Sequence, residues 1–339
     1  MLARASTVIN RTLVTPIVFV QPTSRCNSRC VSCDYWRSSG EGDLSVDHFA
    51  DLARQLGPLG TRVVVFSGGE PLLRPELFDI AQAFERQGQQ RQLLTSGVLL
   101  DRHVDAVAAH FNRVVISLDA ATEAEYHVVR GIHALLVVER GVARLRQVAP
   151  ELPVTARTTV HRLNYRSLPA IIAQARAMGL DQVSFLAADV SSLAFGRRHP
   201  LDATAVSRLA LTAAEARELR DLVERTIVTH ADAFATGFIA ESPDRLRGLA
   251  QYYLAQVGEA PLPPVRCNAP WVSLVIDADG TVRPCFFHAP LGNIREEPLA
   301  RLIEDRLPAF LRQLDVATDP TCQRCVCSLR TSWRSAPWS

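Results

Sequence analysis

Three cysteines crowd one short segment, Cys26-Asn27-Ser28-Arg29-Cys30-Val31-Ser32-Cys33, in a C-x3-C-x2-C spacing. Thiols this close in sequence are a metal-binding pattern. A structural zinc site normally draws four ligands from two paired halves. Three thiolates on one loop suit a [4Fe–4S] cluster with one iron left open to a ligand. A zinc loop, or reduced core thiols, is the competing reading. Further along stands Ser67-Gly68-Gly69-Glu70-Pro71. Its glycines allow a close approach to backbone, and Glu70 offers a carboxylate to an amine. The other five cysteines are Cys267, Cys285, Cys322, Cys325 and Cys327, and none lies between Cys33 and Cys267. An even cysteine count can mean disulfides, but that reading suits short secreted chains. The chain is long, and its apolar stretch from Val14 to Val20 contains Pro16 and no small-residue cleavage site. The cysteines are therefore read as metal ligands and the compartment as the reducing cytoplasm.

These residues need a scaffold. Short apolar runs alternate with amphipathic stretches, which predicts parallel strands with helical crossovers. The strands are expected at Ile17–Val20, Arg62–Phe66, Arg91–Thr95, Arg113–Leu118, Val154–Val160 and Gln182–Leu186. Helices are expected at Val46–Leu56, Pro75–Gln87, His103–His110, Ala134–Val148 and Leu168–Met178, with Ser45 as a cap and Gly179 as a stop. Six strands fall short of a full eight-stranded barrel, so an incomplete barrel is expected. Both motifs then follow a strand, at the end where barrel active sites are built. Residues 200–258 read as mostly helical, with Thr212–Val228 the clearest. The Pro-rich stretch Glu259–Pro264 marks a boundary. Beyond it, Trp271–Ile276 and Thr281–Pro284 flank a hairpin turn at Asp277–Gly280. That segment is too small for a core of its own and calls for a metal staple.

The cysteine loop and the Gly-Gly-Glu-Pro turn, in this order, resemble the radical S-adenosylmethionine (SAM) superfamily. The resemblance implies an α/β fold, a partial (βα)6 barrel with a helical insert and a small C-terminal iron–sulfur domain. It implies that Cys26, Cys30 and Cys33 hold three irons of a [4Fe–4S] cluster and that SAM chelates the fourth. Gly68, Gly69 and Glu70 would receive the methionine amino group. Ser117 and Asp119 resemble the family's Ser-Leu-Asp segment and would face the cofactor. Arg130 resembles an arginine that meets the SAM carboxylate in some members; a surface ion pair is the plainer alternative. Thr95-Ser96-Gly97 resembles the family's Thr-Asn-Gly turn, with Ser96 in place of Asn. Ser32 stands where an aromatic residue is common, which leaves Tyr35 or Trp36 to pack near the adenine.

Cys267 and Cys285 bracket Gly280 as C-x12-G-x4-C, and Cys322-x2-Cys325 follows. This resembles the twitch or SPASM extensions of the family. Five cysteines suffice for one auxiliary [4Fe–4S] cluster, assigned to Cys267, Cys285, Cys322 and Cys325, with Cys327 an alternative ligand or a free thiol. A four-cysteine zinc site is the rival. The domains are expected at 1–190, 191–264 and 265–339.

The implied chemistry is reductive cleavage of SAM to a 5′-deoxyadenosyl radical and hydrogen abstraction from a substrate, fed by a flavodoxin- or ferredoxin-like electron donor. Asp189 and His288 are candidate bases. The expected substrate is a small natural-product precursor, such as a sugar or aminocyclitol. The absence of room for an N-terminal peptide-recognition domain favours it over a short peptide matured by cross-linking, thioether formation or epimerisation. A non-catalytic iron–sulfur redox scaffold is the third reading. Composition narrows the field further. A net charge of +2 on 339 residues argues against nucleic-acid binding, and no apolar run is long enough for a membrane helix. All 37 basic residues are Arg, so lysine chemistry such as a Schiff base is excluded.

Overall fold

The computed structural model describes residues 12 and 14–331. The outer ends of the first and third expected domains lie outside the described residues. One nine-stranded sheet runs through the molecule in the order β6-β5-β4-β3-β2-β1-β7-β8-β9. Strands β1 (Ile17–Val20), β2 (Val63–Phe66), β3 (Gln90–Thr95), β4 (Arg113–Ser117), β5 (Val154–Val160) and β6 (Gln182–Ala187) are each parallel to their neighbours. Five helices cross between them: α1 (Val46–Leu56), α2 (Leu77–Glu85), α3 (Val104–His110), α5 (Leu135–Val148) and α6 (Leu168–Ala177). This is the partial (βα)6 barrel.

The central strands β1 and β2 are apolar on both faces, as covered parallel strands are. Ile17, Phe19, Val63 and Val65 point inward, while Val18, Val20, Val64 and Phe66 join the larger core beneath the helices. Helix α1 starts where Ser45 accepts the His48 N–H, and Gly179 follows α6 with φ +67°. Helix α4 (Glu123–Arg130) is absent from the sequence expectations. Thr122 caps it and Gly131, at φ +69°, ends it.

The segment 203–256 forms α7 (Ala203–Leu209), α8 (Ala213–Thr229), α9 (Ala231–Ala235) and α10 (Pro243–Gln256). It covers the free edge of β6. The Val183 N–H donates to Phe238 O, and the Ala240 N–H to Val183 O. Tyr253 Oη donates to Val160 O and accepts from the Ala188 N–H. At the other edge, β7 (Ser273–Ile276) pairs in parallel with β1 and turns back antiparallel into β8 (Thr281–Arg283) and β9 (Gly292–Asn293). The cysteine-bearing C-terminal segment thus extends the barrel sheet itself. No helix among the described residues is long and apolar enough to cross a membrane.

Candidate active site and auxiliary thiol cluster

The loop carrying Cys26, Cys30 and Cys33 leaves the C-terminal end of β1 and is fixed on three sides. Toward β2, the Gly69 N–H donates to Thr23 O and the Glu70 N–H to Arg25 O, at 3.1 and 2.7 Å. A Cβ on Gly69 would stand 2.0 Å from Arg25 O, so the glycine is needed for the loop's own backbone to come this close. Toward α4, the Arg29 and Val31 N–H groups donate to Arg130 O and Val129 O. Toward β6, the Asp34 N–H and the Cys33 thiol both donate to Phe195 O. Phe195 is the one non-glycine residue among those described with a left-handed φ, +62°. Such strain costs about 1–2 kcal/mol and needs support from its surroundings.

Glu70 is 1% exposed. Its Oε1 accepts from the Leu72 N–H and Thr95 Oγ1; its Oε2 accepts from the Ser96 N–H and Oγ. Four donors hold a buried carboxylate that has no cationic side chain as partner among the described residues. Ser96, standing where the family has Asn, supplies two of those donors. Ser117 ends β4. Asp119, just beyond, accepts from Arg130 Nη1 at 2.6 Å and from the Thr159 N–H at 2.7 Å. This ion pair is buried rather than at the surface, and Arg130 Nε has no partner. The Tyr35 hydroxyl accepts from Gln21 Nε2, while Trp36 lies at the cleft described below.

Asp189 is committed elsewhere. Its Oδ2 receives Arg197 Nη1 at 2.5 Å and Ser192 Oγ at 2.6 Å, and its Oδ1 receives the Ser191 N–H. Arg197, fully buried, also donates to Ser32 O at 2.8 Å. The Asp189–Arg197 pair therefore pins the cysteine loop. Neither Arg197 nor Phe195 carried a sequence signal, because each meets the cysteine loop through a backbone oxygen, Ser32 O for Arg197 and its own carbonyl for Phe195, across more than 160 residues of chain.

All eight cysteines are free thiols. Burial pushes the Cys26 thiol up to about 11 and raises Cys30 and Cys33 too, each further raised by a neighbouring cysteine or carboxylate, while Arg130 opposes this at Cys26 and Cys30. In the second group, burial raises Cys267, Cys285 (to about 11), Cys322 (to about 12) and Cys325. Cys327 lies close enough to act electrostatically on Cys267, Cys285 and Cys325. Cys322 feels Asp319 first, then Cys285 and Cys267.

A single zinc at about 2.3 Å from each sulfur would hold thiolates about 3.8 Å apart. Among the described residues, the one set of three donors within 4.8 Å of one another is His288, Asp319 and Cys322. Neither cysteine group closes to that distance. The three buried thiols of the first group, one short of a structural zinc set, and the all-thiol chemistry of both groups fit polynuclear iron–sulfur clusters. His288 Nε2 lies 3.4 Å from Cys322 Sγ, its ring packs edge-on against Phe310, and burial lowers its pKa.

The sequence profile of the radical SAM superfamily matches residues 20–175, and that of an iron–sulfur cluster-binding domain matches residues 267–326. The chain belongs to the radical SAM superfamily. Its cofactors are accordingly a SAM-binding [4Fe–4S] cluster, SAM itself and an auxiliary cluster in the C-terminal domain. The chain is 25% identical to the Fe-coproporphyrin III synthase of Methanosarcina barkeri, over 91% of this chain and 80% of that one. It is 32% identical to the PqqA peptide cyclase of Gluconobacter oxydans, over 48% of this chain and less than half of that protein. In fold it is similar to Streptococcus suis SuiB, solved with SAM (TM-score 0.67) and with the precursor peptide SuiA (TM-score 0.66), at 14% identity over 95% of this chain and 75% and 73% of those chains.

One cleft of about 790 Å³ joins the two halves. Cys30, Val31 and Trp36 of the cysteine loop, the 193–199 segment after β6, and Asp277, Arg283 and Phe286 of the hairpin line it.

Proposed function

We propose that this radical SAM enzyme oxidises a substrate lying in the cleft between the Cys26–Cys33 loop and the C-terminal hairpin. When bound, the first cluster and SAM supply a 5′-deoxyadenosyl radical that takes a hydrogen atom, and the auxiliary cluster offers a place for the electron left on the product. Cys26, Cys30 and Cys33 would hold the first cluster. Cys267, Cys285 and Cys325 would hold the second, with Cys322 or Cys327 as the fourth ligand; iron content of the two Ala variants separates these. Glu70, with Ser96 and Thr95 holding its carboxylate in place, would receive the SAM ammonium as its missing cation. Ser117 and Asp119 stand at the strand end beside it, and Arg130, kept rigid by Asp119, lies near Cys30. Asp189 is assigned a positioning role, through Arg197 on Ser32, rather than that of a base.

The observation that carries the proposal is that one cleft is lined on one side by the first cysteine loop, at Cys30, and on the other by the hairpin that carries Cys285, at Arg283 and Phe286, on one continuous sheet. The cleft, which on this reading takes SAM as well as the substrate, is in the upper range of small-molecule sites. The names of the relatives, a porphyrin synthase and a peptide cyclase, support a larger substrate, either a peptide segment or a porphyrin-sized molecule. A flavodoxin- or ferredoxin-like donor would deliver the first electron. The test uses the reconstituted, reduced enzyme with SAM and side-chain-deuterated peptides and porphyrins. Deuterium in 5′-deoxyadenosine, with a product lighter by two hydrogens, is expected. SAM left intact under reduction would end the proposal.

A further inference from the structure

The charges around the cleft are unevenly neutralised. Arg37 pairs with Asp34, Arg197 with Asp189 and Arg283 with Asp277. Three other arginines line the same cleft: Arg29 from the cysteine loop, Arg198 after β6 and Arg208 on α7. All three are exposed, and none makes an ion pair among the described residues. The cleft is also lined by acidic residues outside these pairs: Glu41 is exposed and makes no ion pair among the described residues, and Asp279 accepts from the Thr281 N–H. Asp43 accepts from Thr23 and Ser24, and Asp202 caps α7. Apolar surface stands beside this positive charge. Val128 and Leu193, 51% and 56% exposed, are among the most open large hydrophobic side chains of the described residues, and both line the cleft. Three exposed guanidinium groups that make no ion pair among the described residues, next to uncovered aliphatic side chains, offer complementary contacts to an amphiphilic anion. Guanidinium forks match carboxylates in geometry as well as charge.

We infer that the substrate is held by its carboxylate groups, with Arg29, Arg198 and Arg208 as the anchors and Val128 and Leu193 covering its apolar part. This rests on the reading of the cleft as the substrate site. The carboxylates could belong to a porphyrin or to acidic side chains of a peptide, and the test has an arm for each. Binding is measured calorimetrically on the cluster-loaded enzyme with SAM and no reductant, so no turnover occurs. The probes are coproporphyrin III, a tetracarboxylate, with its tetramethyl ester as control, and a short Glu-rich peptide with its Gln-for-Glu counterpart. At least one carboxylate probe should bind, with its neutral counterpart more than about tenfold weaker. Arg198→Gln and Arg208→Gln should each weaken binding by about fivefold, as for a partly exposed ion pair, and added salt should do the same. Iron content and cluster absorbance report that the variants are folded. Binding of neither probe overturns the inference. So does equal binding of the neutral forms, or unchanged affinity in both Arg variants. Formation of 5′-deoxyadenosine under reduction tests the parent reading separately, and it can succeed while the carboxylate anchor fails.

Discussion

Gly69→Ala tests how the cysteine loop is held. The added Cβ would lie 2.0 Å from Arg25 O, 2.5 Å from the Arg25 carbonyl carbon and 2.9 Å from Ser24 O. All three are backbone atoms, so no side-chain rotation relieves the clash. The loop must move away from the β2 turn. It then loses the Gly69-to-Thr23 and Glu70-to-Arg25 hydrogen bonds. Each buried bond left unmade costs about 1–3 kcal/mol, so a total near 3–4 kcal/mol follows. For a chain of this size that corresponds to roughly 6–8 °C in Tm. Gly237→Ala is the control. Unlike Gly69, it has a positive φ, +74°, and nothing lies within 4 Å of its Cβ. It should cost only the backbone strain, about 1 kcal/mol. The assay pairs thermal unfolding with iron analysis. Gly69→Ala should lose iron from the first site and keep the auxiliary iron, while Gly237→Ala keeps both. A Gly69→Ala protein with wild-type Tm and full iron would refute the view that this turn clamps the loop.

Asp189→Asn should leave the buried Arg197 charge unpaired, at a cost of about 3–5 kcal/mol, and loosen the first iron site through Ser32. If the variant instead kept its Tm and iron, still cleaved SAM and lost only product, Asp189 would be a base after all. His161 is fully buried at the end of β5, its Nδ1 accepts from the Leu163 N–H, and burial pushes its pKa down to about 4. The unfolded chain takes up that proton near pH 6.5, so this contribution to stability is whole above pH 6.5 and is lost as the pH falls toward 4. The loss is roughly 3 kcal/mol across that window. Urea unfolding of the wild type and His161→Gln at pH 7 and pH 4.5 should converge at the acid end; equal slopes with pH would contradict the assignment.

Much of this was legible in the sequence, and the gaps have physical causes. The strands β1 and β2 were readable because a covered parallel strand is apolar on both faces, as Val63–Phe66 is, and β3 to β6 because shorter apolar or β-branched runs recur between amphipathic helices. The cysteine loop was readable because metal ligands on one loop are close in sequence. Helix α4 escaped because Tyr126, Val129 and Arg130 are buried on only two turns, too short for a periodic signal. The parallel pairing of β7 with β1 escaped because nothing local distinguishes a hairpin standing alone from one completing a distant sheet. The work done by Gly69 was only half visible. A glycine signals close approach, but not whether a ligand or the chain's own backbone comes near.

The central claim is that Cys26, Cys30 and Cys33 hold the cluster at which SAM is cleaved, apart from a second cluster at the C-terminal thiols. The most direct measurement compares wild type with Cys30→Ala, both reconstituted and reduced with SAM, for iron per chain and 5′-deoxyadenosine formed. Wild type should carry about eight irons and make 5′-deoxyadenosine; Cys30→Ala should keep about four irons and make none. Near-normal 5′-deoxyadenosine from Cys30→Ala would contradict the account.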